Sequence, residues 1–399
     1  MTSIPMSRII RLSVLILLLA ASRAAPDEVR AIWITRWDYR SEEDVRRAVR
    51  WSSLLGLNRV FFQVRGRADA FYRSSIEPWG EELGGHDPGF DPLAVAIDEA
   101  RKVGIELDAW INVLPAWKGA RAPASAAHVL HTHPDWFLVD RQGRRHVLNP
   151  SDYTILNPCL PEVRAYIVGI VKDIASRYAI DGIQLDYIRF VGRDADHQLD
   201  FPYDPRTLRL FRRYANTSPF DDPAAWDRWR ALSVDTLVYR ISEAVRTTRP
   251  GARVTVAAIQ DYERARRDLF QDVVKWQANG WIDEVYPMTY HRDDAAFRLY
   301  AGKAIGAGAP GKVIPGIGVH LLDSVQALAR QIEWTRSSRS GGYCLFAYSN
   351  FFPSTSHESR SDTASRLLRT QMRSRMRELN SPGEAPRKAQ ALPANVPRT

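Results

Sequence analysis

Eight short apolar runs recur along the chain, most of them separated by a segment of helical periodicity, and no other feature limits the possible folds so tightly. They lie at 29–35 (VRAIWIT), 59–65 (RVFFQVR), 105–112 (IELDAWIN), 181–187 (DGIQLDY), 253–260 (RVTVAAIQ), 283–290 (DEVYPMTY), 312–318 (KVIPGIG) and 342–349 (GYCLFAYS). Helical patterns fit between most of them: 41–56 ending at Gly56, 91–104 opened by Asp91-Pro92 and closed by Gly104, and 161–179 opened by Pro161-Glu162. Strand then helix, repeated eight times, predicts an α/β protein built as a parallel (β/α)8 TIM barrel. The connections after strands 3 and 4 are long, and in such barrels long βα loops build the site.

Residue parity supports that reading. In strand 3, Ile105, Leu107, Ala109 and Ile111 share one face, while Glu106, Asp108, Trp110 and Asn112 share the other. A barrel turns the apolar face to its helices and the polar face inward. Strand 2 repeats the pattern, with Val60, Phe62 and Val64 outward and Gln63 and Arg65 inward. Strand 4 places Ile183 and Leu185 outward and Gly182, Gln184 and Asp186 inward.

Asp181 and Asp186 start and end strand 4, roughly 16 Å apart at strand rise, and so cannot act on one bond. Catalysis in barrels sits at the C-terminal ends of the strands. Asp186 therefore reads as catalytic or ligand-binding, and Asp181 as structural. The rim around Asp186 holds Gln63, Arg65, Trp110, Asn112, Tyr187, Arg189, Gln260, Tyr290 and Tyr348. Aromatic planes beside amides and carboxylates suit sugars, whose rings stack on them while their hydroxyls hydrogen-bond.

Other chemistries fit less well. The chain contains no nucleotide-cradling P-loop, no G-x-S-x-G elbow and no Lys/Arg run interleaved with aromatics, so nucleic acid is not an expected partner. His128, His131 and His133 in HVLHTHPDW match no H-E-x-x-H zinc pattern and read as loop histidines packing near Trp136, so no metal is expected. With two cysteines, Cys159 and Cys344, there is no disulfide framework.

Residues 1–24 carry Arg8 and Arg11, an apolar run from about Leu12 to Ala20 and small residues at Ser22 and Ala24, the pattern of a signal peptide. Its loss removes three Arg and no acids, taking the formal charge of +9 to +6. A periplasmic or secreted protein with no stable membrane span after cleavage is expected. Residues 27–375 are assigned to the barrel, and 376–399 to a disordered tail that is Pro-rich from about Ser381.

The run FFQVRGRADAFYRSSIEPWGEELGG, then DPGFDPL, AWIN at strand 3, and LNPCLPEVRAYI leading into YAIDGIQLDYIRF, resembles the glycosyl-hydrolase-like family 10 proteins, exported bacterial barrels. The resemblance covers residues 28 to 350. It implies an O-glycosyl hydrolase acting on a bacterial polysaccharide, with no obligatory metal or organic cofactor. Some members resemble glycosidases of peptidoglycan glycan strands stripped of their peptides. The family's strand-4 aspartate falls on Asp186, its QVR segment on Gln63 and Arg65, its DA-x-Y on Asp69 and Tyr72, its EPW on Glu77 and Trp79, and its AW-x-N on Trp110 and Asn112. Many members pair aspartates after strand 4, whereas here Tyr187 follows Asp186.

Glycoside hydrolysis usually uses two carboxyl groups. Asp186 is the first. Glu77 is the preferred second, with an ion pair that holds its loop closed as its alternative role. Asp69, Asp261 and Glu263 are the other candidates, the last two in DYERARRD, which reads as a solvated helix start. An N-acetyl group on the sugar can also replace the protein nucleophile. The other reading is a catalytically silent barrel that binds envelope glycan.

Overall fold

The computed structural model describes residues 28–145, 148, 150–190, 200–352 and 363–381. Eight parallel strands form one sheet: β1 (Val29–Ile34), β2 (Arg59–Arg65), β3 (Glu106–Asn112), β4 (Gly182–Asp186), β5 (Arg253–Ala258), β6 (Glu284–Pro287), β7 (Gly316–Gly318) and β8 (Gly342–Phe346). Each lies within the apolar run that predicts it. The order β6-β5-β4-β3-β2-β1-β8-β7 leaves β6 and β7 at the ends of the sheet. A parallel bridge between Val285 and Val313, with Val285 N donating to Lys312 O and Ile314 N to Val285 O, brings those ends together into a nearly closed barrel.

Helices wrap the outside, and their ends follow local chemistry. Ser41 and Asp44 form a reciprocal capping box at Glu42–Leu54. Asp91 accepts from Ala94 N at Pro92–Val103, and Gly104, at φ +68°, closes that helix in the left-handed region. The chain from β3 to the helix Pro161–Arg177 is long and carries a small antiparallel ribbon of Pro115–Trp117 with Thr154–Ile155.

The barrel separates two cores. Val60, Phe62, Val64, Leu107, Ala109, Ile111, Ile183 and Leu185 pack between strands and helices, as parity predicts. Inside, Trp33, Phe61, Trp110, Tyr286 and Cys344 fill the middle. Phe61 meets Tyr286 edge-on with ring centroids 4.7 Å apart. Cys159 belongs to the outer core and Cys344 to the inner one, and both are free thiols. The N-terminal end of the barrel is closed by ion pairs: Arg59 to Glu284 at 2.5 Å and Glu106 at 2.8 Å, and Arg253 to Asp108 at 2.7 Å. Gly182 makes room for this network, since a Cβ there would lie 2.5 Å from Asp108 Oδ2. At the same end Asp181 Oδ2 accepts from Leu107 N at 2.8 Å, the structural role expected of it.

The ordered chain runs past the boundary set at 375. The last helix spans Thr363–Leu379 and buries Met372 and Met376 against the outer core, so the apolar spacing of those methionines extends the folded part. The expected signal peptide and the Pro-rich residues 382–399 lie outside the described residues. No helix among the described residues is long and apolar enough to cross a membrane.

Candidate active site

Strand register assembles the mouth of the barrel. Asn112 lies beside Asp186, Trp110 beside Gln184, and Gln63 beside Trp110, so the inward residues of β2, β3 and β4 end at one level. Beneath them, the Trp33 indole N–H donates to Gln184 Oε1 at 2.5 Å and fixes the amide. That is the inward amide's role in strand 4.

Asp186 is 5% exposed. Burial pushes its carboxyl up to about 6, against the pull of the Arg189 guanidinium, the Tyr187 amide and the Trp110 indole. The Tyr187 N–H donates to Asp186 Oδ1 at 2.7 Å. The indole leans toward the carboxylate without closing a hydrogen bond. Tyr187 itself sits at φ +52°, a left-handed conformation that a bulky side chain rarely adopts. Its half-buried ring lies under Arg189, with the guanidinium carbon 4.7 Å from the ring centroid. Trp110 Nε1, Asn112 Oδ1, Gln184 Nε2 and Arg189 Nε are all buried without a hydrogen-bond partner in the protein. Unpaired donors and acceptors around one raised carboxyl mark a place built to meet a polar ligand.

Tyr290 joins the mouth from the loop after β6, stacking on Phe346 at 5.2 Å and meeting Trp33 edge-on at 6.4 Å. Burial holds its phenol protonated, with Asp186 and Tyr187 in electrostatic reach. Gln260 stands nearby, its Oε1 accepting from His291 Nε2 at 2.8 Å.

Several expected site residues sit elsewhere. Arg65 and Glu77 form a closed pair: the guanidinium meets both carboxylate oxygens at 3.0 Å and one again at 2.8 Å, and Tyr166 Oη adds a bond at 2.6 Å. Arg65 also donates to the Asn112 and Val113 carbonyls. Both side chains are fully buried. Glu77 thus takes the alternative role expected of it, an ion pair that pins its loop to the end of β2 through Arg65. Tyr72 packs in the outer core against Tyr178, because the chain after β2 doubles back through a bridge between Arg65 and Ala70. Tyr348 also faces outward, stacked on Phe352 at 5.0 Å, since β8 ends at Phe346 and the chain turns into a short 3-10 helix. Asp69 and Trp79 line a separate pocket beside the mouth. Asp261 caps the helix Tyr262–Leu269, and Glu263 is an exposed partner of Arg266. His133 stacks on Trp136 at 3.9 Å, as expected of a loop histidine. His128 Nε2 and His131 Nε2 bond to backbone carbonyls.

Residues not predicted complete the rim. Arg36, at the end of β1, is buried; its amide donates to Gln63 Oε1, its Nε to Glu82, and its Nη2 reaches Tyr153 Oη at 3.5 Å. Gly66 makes room for it, since a Cβ there would lie 2.7 Å from Arg36 Cδ. Strand-end logic applied to β1 finds Arg36. Tyr153 lies in irregular chain that carries no such signal, yet its ring meets Tyr187 at 5.2 Å. Among the described residues no cluster of His, Cys, Asp and Glu is arranged to hold a metal ion.

Comparison with known proteins adds the following. The family model described as glycosyl hydrolase-like 10 matches residues 28–305. The chain is 27% identical over 263 residues to glycosyl hydrolase DigH of Escherichia coli K12, covering 59% of this chain and 55% of that protein. It is 27% identical over 306 residues to glycosyl hydrolase YngK of Bacillus subtilis, covering 68% of this chain and 55% of that protein. The chain thus spans about half the length of these curated relatives. The glycoside hydrolase domain of PgaB (BpsB) from Bordetella bronchiseptica shares the fold, with TM-score 0.61 at 14% identity over 86% of this chain and 99% of that one.

Proposed function

The chain belongs to the glycosyl hydrolase-like 10 family, and from that premise we propose that it is an exported glycoside hydrolase that cleaves O-glycosidic bonds in peptidoglycan glycan strands. The observation that carries this reading is Asp186: a buried carboxyl at the C-terminal end of β4, raised to about 6 among unpaired polar groups and aromatic planes. A carboxyl in that range is protonated in a useful fraction near neutral pH and can still give up its proton, which is what a general acid for a leaving sugar oxygen needs.

In this mechanism Asp186 protonates the glycosidic oxygen as its bond to the anomeric carbon breaks. The Tyr187 amide and Arg189 then stabilise the carboxylate that forms. Tyr187, Tyr290 and Trp110 offer planes for the sugar rings, and Asn112, Gln63 and Arg36 offer groups for hydroxyls. Water then attacks the anomeric carbon from the face the leaving sugar vacates, either directly or by breaking the bond that the acetamide oxygen of an N-acetylated sugar has formed there, and gives its proton to the Asp186 carboxylate, which restores the acid. The signal-peptide pattern of residues 1–24 supports an envelope polysaccharide as the substrate, and the likeness to glycosyl hydrolases DigH and YngK supports a glycosidic bond as the target.

The test is product analysis by mass spectrometry after incubation with peptide-free peptidoglycan strands, chitin oligosaccharides and a plant β-glucan. New saccharide fragments from the first alone support the substrate. Fragments from another polymer keep the hydrolase and replace its substrate.

The locked Arg65–Glu77 pair favours a second reading, a barrel that binds glycan without cutting it, because it removes the preferred second carboxylate. Length-dependent glycan binding with no fragments from any polymer would select it.

A further inference from the structure

Beside the mouth, the loops after β2 and β3 enclose a pocket of about 310 Å³, at the small end for ligand sites, whose walls include Asp69, Trp79, Glu81, Trp117 and His128. Nothing in the chemistry assigned to Asp186 uses it. Asp69 is 2% exposed and its Oδ2 makes no hydrogen bond; Arg67 Nε, also without one, lies 3.7 Å away. A buried acceptor and a buried donor at that spacing can both be satisfied by one hydroxyl that accepts from the guanidinium and donates to the carboxylate. The half-buried Trp79 indole supplies flat apolar surface in the same pocket, while the Trp117 ring is already covered by the Arg67 guanidinium, whose carbon lies 4.5 Å from its centroid.

The other polar wall is already committed. Leu130 N donates to His128 Nδ1 at 3.1 Å, so His128 Nε2 carries the proton and donates to Arg67 O at 2.8 Å. Burial holds this histidine below its usual range, which keeps it neutral. The free capacity of the pocket is therefore Asp69, backed by Arg67, and the Trp79 indole, a combination that suits a neutral polyhydroxylated ring.

Contacts link the pocket to Asp186. Arg67 Nη2 bonds to Glu82 at 3.0 Å, Glu82 to Arg36 Nε at 3.1 Å, and Arg36 Nη2 reaches Tyr153 Oη at 3.5 Å; Tyr153 packs on Tyr187, the neighbour of Asp186. We propose that this pocket is a distal saccharide subsite, joined to the mouth along that path, so that the protein engages a polymer of several sugars rather than a single terminal unit. The proposal rests on the glycoside hydrolase reading and adds to it a second sugar-binding position, away from Asp186, for the same glycan strand.

The experiment titrates Asp186→Asn protein with peptide-free glycan oligosaccharides of increasing length by calorimetry, alongside Asp186→Asn/Trp79→Ala and Asp186→Asn/Asp69→Asn. Thermal unfolding confirms that each is folded, and Asp186→Asn/Trp79→Phe serves as the conservative variant. Affinity should rise with length in the parent, and that gain should shrink about tenfold, near 1.4 kcal/mol, in the Ala and Asn variants and recover in part with Phe. Equal affinity for short and long chains, or a length gain untouched by all three variants, overturns the subsite. Fragment analysis of the same oligosaccharides with wild-type protein separates the two claims. Cleavage without length-dependent binding leaves the hydrolase and removes the subsite; length-dependent binding without cleavage does the reverse.

Discussion

The backbone amide of Tyr187 points back at the carboxylate it follows, donating to Asp186 Oδ1 at 2.7 Å, and Tyr187 takes φ +52° to do so. Strain at a strand end costs free energy, of order 1–3 kcal/mol for such conformations. It persists because the surrounding structure fixes it. Here it aims a donor at Asp186 and turns the Tyr187 ring into the mouth. The two residues act as one unit in the predictions that follow.

Replacing the Asp186 proton should remove catalysis. Asp186→Asn keeps the shape and loses the acid, so kcat/KM for glycan cleavage should fall by about 10²–10⁴. Reducing-end release under single-turnover conditions checks this.

The same substitution should stabilise the fold. In the folded state the carboxyl titrates near 6, above its unfolded value near 4, so ionisation opposes folding. The penalty is absent below about pH 4, develops as pH rises and is complete above about 6. That gap corresponds to about 3 kcal/mol. Asp186→Asn should therefore raise Tm at pH 7.5 by a few degrees and leave it unchanged at pH 4, read by calorimetry at both values. Asp38, likewise raised to about 6 by burial despite bonds from Thr35, adds its own decline in stability through the same window and remains in the variant.

Glu77 should behave in the opposite way. Glu77→Gln leaves the Arg65 guanidinium charged and fully buried without its counter-ion. Breaking a buried pair from one side costs roughly 3–5 kcal/mol. Denaturant unfolding should show the loss, whereas Asp186→Asn should show a gain at neutral pH.

Gly182→Ala tests the closed end of the barrel. The added Cβ would lie 2.5 Å from Asp108 Oδ2, and Asp108 is held by Arg253 at 2.7 Å. Overpacking of this kind costs typically 1–3 kcal/mol, and chemical denaturation measures it.

Much of this architecture is legible in the residues. Ile183 and Leu185 alternate with Gln184 and Asp186 because a barrel strand has an apolar outside and a lining that can be polar, and the same parity finds Asn112 and Trp110. Parity stops where strands stop. Tyr348 is misplaced because the chain leaves strand geometry after Phe346, and Tyr72 because the chain folds back at Ala70. Glu77 looks like a free acid in sequence, since nothing local reveals that Arg65, twelve residues earlier, reaches it with both arms of its guanidinium. Arg36, just past the end of β1, is within reach of the strand-end rule, whereas Tyr153 approaches the mouth from irregular chain whose path depends on tertiary packing, so its position in the sequence carries no signal.

The most direct test of the account is the pH dependence of kcat/KM for peptide-free peptidoglycan glycan, measured for wild type and Asp186→Asn from pH 4 to 9. Wild type should lose activity as pH rises through about 6, the range in which burial holds Asp186, and the residual activity of the variant should lack that limb. A limb near 6 that survives in Asp186→Asn would assign the proton to another group and contradict the account.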